Sequence, residues 1–329
     1  MKRSTFLALA LSTALGLPAF AADAPKPLRV LLITGGCCHE YDKQKDILKK
    51  GIEARANVLV EQIHTNDKST KPPLPIYGNP DYAKGFDVVI HDECSADITD
   101  PEIIKGVLKP HADGIPGVNL HCAMHCYRFG DFQKPVAPGA DNSHWYEYLG
   151  LQSTAHGPQE PIALSFTEKN SPITKGMADW TTVKEELYNN IQILTGKELV
   201  RGKQIAHQKS KDKDGKETVT DKESETVVAW TNEYGPKKTR VFSTTIGHNN
   251  TTVEDARYLD LVTRGVLWSA GKLNDDGTPA TGYGPRREVS RAAGSARLPS
   301  AAVSCLLCEL RAHRLIHRPH PDPRAAPGR

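Results

Sequence analysis

Apolar residues in the first 120 positions come as short, nearly continuous runs separated by stretches with helical spacing. Residues 28–34 (LRVLLIT), 57–64 (NVLVEQIH), 86–92 (FDVVIHD) and 117–121 (GVNLH) are such runs. Each suits a parallel strand covered on both faces. Between them, Ile47, Leu48 and Ile52 form one stripe of a helix predicted over residues 42–54. Ile103, Ile104, Val107 and Leu108 form another. That second helix has a clear start: Asp100 suits the cap, Pro101 the first turn, and Thr99 to Glu102 has capping-box spacing. Strand and helix alternating in this way predict an α/β fold, a mainly parallel sheet with helices on both faces.

The second half is less regular. Trp145, Tyr148 and Leu149 mark a short helix stopped by Gly150. Residues 161–167 read as a strand, and 226–230 with 239–246 as a strand pair around the Gly235-Pro236 turn. The last helix is expected to open at Thr251-x-x-Glu254, with Leu259, Val262, Val266 and Leu267 as its stripe. Residues 207–223 (HQKSKDKDGKETVTDKE) are charged and aperiodic, so a solvated loop is expected there.

Both ends differ from the body. Residues 1–21 combine Lys2 and Arg3, an apolar run and Ala19-Phe20-Ala21, the pattern of a secretory signal peptide. The run is shorter than the roughly 20 residues a spanning helix needs, and Pro18 interrupts it. The expectation is an exported protein, periplasmic or extracellular, cleaved near Ala21, with no membrane span after signal removal. At the other end Lys disappears after Lys272, and residues 286–329 carry nine Arg against three acids. The formal charge of +3 therefore comes from this tail, and the body is net acidic. An Arg-, Pro- and Ala-rich segment without apolar periodicity cannot offset its ordering entropy, so residues 274–329 are expected to be disordered. The abrupt change of basic residue is also what a shifted reading frame produces. What remains, residues 22–273, is the size of one α/β domain. A short basic end on an acidic body gives no expectation of nucleic-acid binding; a homo-oligomer is left open.

The candidate chemistry is histidine-rich. Ligands of an open parallel sheet bind at the carboxyl ends of its strands. His39, His91 with Asp92, His121 and His248 all fall at or just after predicted strand ends. The stretch GVNLHCAMHC (117–126) permits several chemistries. An elbow nucleophile needs small residues two positions to either side, and for Cys122 these are Leu120 and Met124, both too large. For His121 they are Asn119 and Ala123, a better fit. His121 and His125 as a zinc pair, or a Cys122–Cys126 disulfide, remain alternatives. The favoured reading turns His121 to the cleft and packs the cysteines behind it. Of the five body cysteines, Cys37, Cys38, Cys94, Cys122 and Cys126, some are expected to be small buried hydrophobes, and disulfides are allowed in an exported chain.

LLITGG with His39, NLHCA, GLQSTAHG with His156, ITKGM…EELYN, VVAWTNEYGPKKTRVFSTTIGHN and LVTRGVLWSAGK occur in order between Leu28 and Lys272. This set resembles the trehalose-utilisation (ThuA-like) family. The resemblance implies a flavodoxin-like three-layer fold related to class I glutamine amidotransferases, and an association with sugar use, including keto-sugars. Amidotransferases carry Cys on the elbow and a late His-x-Glu; here His121 and His248-Asn249-Asn250 stand at those places, so glutamine hydrolysis is not expected. Carried over by position, the cleft's catalytic residues are His39, His121, His156, Glu186, Tyr188 and His248, with Glu233 beside them. Asp92, and Trp145 as either a sugar-stacking ring or a core residue, complete the candidate substrate contacts. Cys37-Cys38 before His39, and the lengthened segment at 207–223, depart from the family pattern. Such a set suits proton transfer on a sugar's hydroxyl or carbonyl groups. Two alternatives stand beside it: a hydrolase or isomerase using a divalent metal on His39, His121, His156 and His248 with Glu186, and a non-catalytic carbohydrate-binding module. For Glu186 the plain alternative is a helix-start charge. No cofactor is required by the sequence.

Overall fold

The computed structural model describes residues 25–286, apart from 212 and 214. The expected signal peptide and positions 287–329 of the expected tail lie outside the described residues. Strand β1 (Leu28–Gly36) is followed by α1 (Tyr41–Glu53), β2 (Val58–His64), β3 (Val88–Cys94), α2 (Pro101–Ala112) and β4 (Gly117–Leu120). A 3-10 turn, His121–His125, leads towards α3 (His144–Leu149). Then come β5 (Leu151–Phe166), β6 (Trp180–Ile193), β7 (Lys197–Lys211), β8 (Glu217–Tyr234), β9 (Thr239–Thr244), α4 (Asn250–Val253) and α5 (Ala256–Ser269).

Among the described residues nine strands join one sheet in the order β2-β1-β3-β4-β9-β8-β7-β5-β6. The first five pair in parallel. Counted alone they run 2-1-3-4-5, the flavodoxin-like order. The other four are antiparallel. The antiparallel half curls back, because β6, last in the order, also packs on β8 and α4, and β5 packs on the 3-10 turn. It therefore covers the carboxyl ends of the parallel strands.

The near-continuous apolar runs explain the layers. In β1, Val30 and Leu32 face a core with Leu48 and Ile52 of α1 and Val262 and Val266 of α5. Leu31 and Ile33 face the opposite core, with Val107 and Leu108 of α2 and Trp145 and Tyr148 of α3. Helix α5 lies close on the sheet: a Cβ at Gly265 would come within 2.3 Å of the Phe242 ring. Cap chemistry sets the helix starts. The Asp100 carboxylate accepts from Glu102 N at 2.9 Å, as expected. The final helix is different: Asp255 caps α5 by accepting from Arg257 N at 2.8 Å, and the Thr251–Glu254 segment lies in and just after the separate turn α4.

Two other expectations are corrected. Residues 207–223 are not a loop; β7 and β8 continue as an antiparallel hairpin to Lys211↔Glu217. β8 is exposed throughout its first half, so no apolar face marks it in sequence. Its cross-strand pairs are charged, with Arg201–Glu225 at 2.6 Å and Lys203–Glu223 at 2.7 Å. The described part of the tail is ordered rather than free. Leu273 bridges Pro279, Asn57 N donates to Tyr283 O at 3.0 Å, and Arg286 donates to Asn57 Oδ1 at 2.9 Å. The body thus runs on past Asn274 to Arg286. Among the described residues no helix is long and apolar enough to cross a membrane.

Trp145 belongs to the core and is 1% exposed. Its Nε1 donates to Ala123 O at 2.9 Å, and its ring meets Tyr127 at 4.6 Å and Tyr148 at 4.9 Å. The candidate sugar platform is therefore a packing residue. Trp145→Ala is expected to cost about 3–5 kcal/mol in urea unfolding; near-unchanged stability with weakened sugar binding would restore the platform reading.

Candidate functional site

Three parallel strands deliver three imidazoles to one place. β1 ends in Gly35-Gly36, where a Cβ on Gly36 would sit 2.4 Å from Cys94 O, and the loop beyond carries His39. β4 ends at Leu120, and His121, the next residue, has φ 42°, a left-handed backbone for a side chain with a Cβ. It is the apex of a sharp strand-to-helix turn, as the small flanking residues anticipate. β9 is followed by Gly247 (φ 134°) and His248; a Cβ on Gly247 would meet Tyr258 Oη at 2.7 Å. The antiparallel half brings the rest. In β5 and β6, His156 lies opposite Tyr188, and Gln159 opposite Glu186.

The His39 ring lies 4.7 Å from those of both His121 and His248, and His121 and His248 are 5.4 Å apart. One nitrogen from each of the three lies within 4.8 Å of the others. The Glu186 carboxylate faces them, 3.3 Å from His248 Nδ1, 3.5 Å from His121 Nε2 and 3.6 Å from His156 Nδ1. Tyr188 closes the floor, 5.0 Å from the His121 ring and stacked on His125 at 4.2 Å.

Two of the rings are held from behind. His121 Nδ1 lies 2.6 Å from Thr245 O, and His248 Nε2 lies 2.7 Å from the Gln159 side-chain amide. The opposite nitrogens, His121 Nε2 and His248 Nδ1, are buried without a hydrogen-bond partner, as is His39 Nδ1. Burial, followed by the neighbouring His121 and His248, pushes His39 down to about 2, so its ring is neutral. For Glu186, burial alone would raise the carboxyl, but the close approach of the His121 and His248 rings outweighs it and holds the group well below the usual carboxylate range. Burial would lower His248, yet the adjoining Glu186 carboxylate and the charge of Glu185 raise it overall. Imidazole nitrogens turned towards an ionised carboxylate form a donor set that fits a divalent cation, and equally a set able to pass a proton.

Residues 29–269 match the family described as trehalose utilisation, ThuA. The chain belongs to the ThuA family. A ThuA-like protein of Parabacteroides merdae shares its fold at 18% identity and TM-score 0.50, covering 79% of this chain and 98% of that one. One of Bacteroides uniformis reaches 16% and 0.49, covering 80% and 99%. A glutamine amidotransferase of Thermotoga maritima gives 10% and 0.35, covering 74% and 96%. No curated protein matches the sequence.

In this ThuA chain the structure brings together His39, His121, His156, Glu186, Tyr188 and His248. It does not bring in the other candidates. Asp92 is buried within β3, which runs on to Cys94, and its Oδ2 is unpartnered. Burial, then Glu93, pushes its carboxyl well up. His91 is likewise inside β3, bonded to Glu93 and His111. Glu233 is exposed at the opposite edge, because antiparallel β8 carries it opposite Arg240, near the start of β9. Glu186 lies in a strand, not at a helix start.

Sequence reading missed the supports. The fully buried Glu185 carboxylate accepts from His248 N at 2.9 Å and Asn249 N at 3.0 Å, fixing the loop that carries His248. From α1, Gln44 Nε2 donates to His248 O at 3.0 Å. The only sequence signal was the Glu185-Glu186 pair in EELYN, since consecutive strand residues point to opposite faces. Glu185→Gln turns an acceptor oxygen into a donor facing backbone N–H groups. It is expected to cost about 1.5–3 kcal/mol in chemical unfolding and to loosen residues 247–249, read as faster amide exchange there. Unchanged exchange would mean the loop is held otherwise.

Proposed function

We propose that this ThuA-family chain is an enzyme acting on a sugar or sugar derivative at a divalent-metal centre made by His39, His121 and His248, with Glu186 as the adjoining carboxylate. The carrying observation is the convergence of the His39, His121 and His248 imidazoles, two buried and one part-buried, each with a buried ring nitrogen that has no hydrogen-bond partner. A buried polar group left unmade costs about 1–3 kcal/mol; three at one point mark a place that binds something. The held opposite nitrogens of His121 and His248 are what a metal-ligating imidazole needs to fix its tautomer. A bound divalent ion would supply Lewis-acid polarisation of a hydroxyl or carbonyl oxygen.

The chain's own groups then have separate tasks. His156, half exposed and just outside the trio, is the proton carrier. A groove of about 540 Å³ opens beside it, lined by Tyr188, Asn189, Asn190, Gln204 and Glu225 among others. Its size is in the range of small-molecule sites, and its amides suit hydroxyl-rich ligands. This lining and the family's description support a sugar as the small-molecule partner.

A second reading, proton transfer without metal, is favoured by the Glu186–His248 pair, where an ionised carboxylate raises the neighbouring imidazole. Elemental analysis of untagged protein separates the two. The metal reading expects about one equivalent of a divalent transition metal. His121→Ala should lose it while staying folded, and Gln159→Ala should weaken it about 10–100-fold. Metal-free protein that turns over a sugar would transfer the assignment to the second reading. Sugar affinity without turnover under either condition would leave a binding module. The N-terminal pattern supports export; the mature N-terminus in a periplasmic fraction is then expected near Ala22, and an intact Met1 there would refute it.

A further inference from the structure

Beneath the imidazoles runs a file of sulfur atoms that the proposed centre does not use. Cys37 and Cys38 are joined by a disulfide. Cys94 Sγ, at the end of β3, lies 3.4 Å from Cys37 Sγ. Cys122 Sγ, in the turn after β4, donates to Cys94 Sγ at 2.7 Å. Cys126 stands apart, its sulfur bonded to Ser95 N and Glu93 O. Cys94 and Cys122 are buried, whereas Cys38 is exposed in a mouth shared with His39 and His248. The file is thus closed to solvent at one end and open at the other. It also touches the centre's backbone at two points: Cys38 (φ 81°) precedes His39, and His121 (φ 42°) precedes Cys122.

We propose that Cys38, Cys37, Cys94 and Cys122 form a thiol–disulfide exchange site, in which one disulfide moves between Cys37–Cys38 and Cys94–Cys122. In the first step the Cys94 thiolate attacks Cys37 Sγ. The Cys37–Cys94 bond forms, the Cys37–Cys38 bond breaks, and Cys38 leaves with the electron pair and takes up a proton equivalent to the one Cys94 lost. In the second, deprotonated Cys122 attacks Cys94 Sγ. The Cys94–Cys122 bond forms, the Cys37–Cys94 bond breaks, and Cys37 leaves and is protonated in turn. One disulfide is consumed and one made, so no outside oxidant or reductant is needed. The geometry gives Cys94 the attacking role, since it alone lies between the disulfide and the second thiol. The thiolate is the reactive form, and Cys122, 2.7 Å from Cys94 and beyond it from the disulfide, is placed to resolve the mixed disulfide. Moving the disulfide frees the chain before His39 and ties the turn holding His121 to β3, so the two states present the imidazoles differently. None of this depends on the metal reading.

The test uses the full chain, equilibrated across a series of oxidised and reduced dithiothreitol, quenched in acid, alkylated with N-ethylmaleimide in denaturant and sequenced as peptides by mass spectrometry. The expected result is two one-disulfide isomers, Cys37–Cys38 and Cys94–Cys122. Cys94→Ala should lose the second completely, and Cys122→Ser should accumulate a Cys37–Cys94 cross-link. If the variants do not fold, the wild-type map decides alone. Cys94 and Cys122 alkylated at every ratio, or a stoichiometric soft metal held on these thiolates in the isolated protein, would overturn the proposal.

Discussion

A carboxylate shut away from water, Glu186, must be compensated by the groups around it, and this constraint organises the site. An uncompensated buried charge is among the costliest defects a fold can carry. Here three imidazoles from His121, His156 and His248 approach one carboxylate within 3.3–3.6 Å, and a fourth, His39, packs edge-on against two of them. The adjacent Glu185 uses its charge differently, on backbone N–H groups of the His248 loop. Two neighbouring acids on one strand thus fix both the electrostatics of the centre and the path of the chain through it.

The architecture explains why this is possible. The parallel half of the sheet can supply only strand-end loops, and it supplies His39, His121 and His248. The antiparallel half supplies residues from within strands, and by curling back it sets Glu186, Tyr188 and His156 over those loops. Side chains rooted in a strand have less freedom than side chains in a loop, so the carboxylate serves as the fixed reference and the imidazole loops are held to it. Backbone strain collects at the same place, with His121 and Cys38 both in the left-handed region, where each such residue costs about 1–3 kcal/mol. The sulfur file adjoins these turns through Cys38, next to His39, and Cys122, next to His121.

Much of the parallel half was legible in the sequence, because strands buried on both faces leave unbroken apolar runs and because Asp100-Pro101 is an explicit helix start. The convergence of His39, His121 and His248 followed from the strand-end rule. His91 broke that rule because β3 runs three residues further, to Cys94, and carries the ring inside the sheet. The antiparallel half was less legible. The outer part of β8 is wet on both sides, so charge without periodicity looked like a loop. Glu233 was misplaced because an antiparallel strand returns its end to the opposite edge, and Trp145 because an aromatic ring does not reveal in sequence whether it faces core or cleft. The Cys37–Cys38 bond could not be anticipated from an odd number of body cysteines.

The central claim is that the imidazoles of His39, His121 and His248 share one pocket with Glu186 and jointly hold a cation. It is tested most directly by a crystal soaked with zinc or cobalt and measured at the metal's absorption edge. The account predicts a single anomalous peak in contact with one nitrogen from each of the three rings, beside the Glu186 carboxylate. A density map in which those rings point apart, with no peak among them at saturating metal, would contradict it.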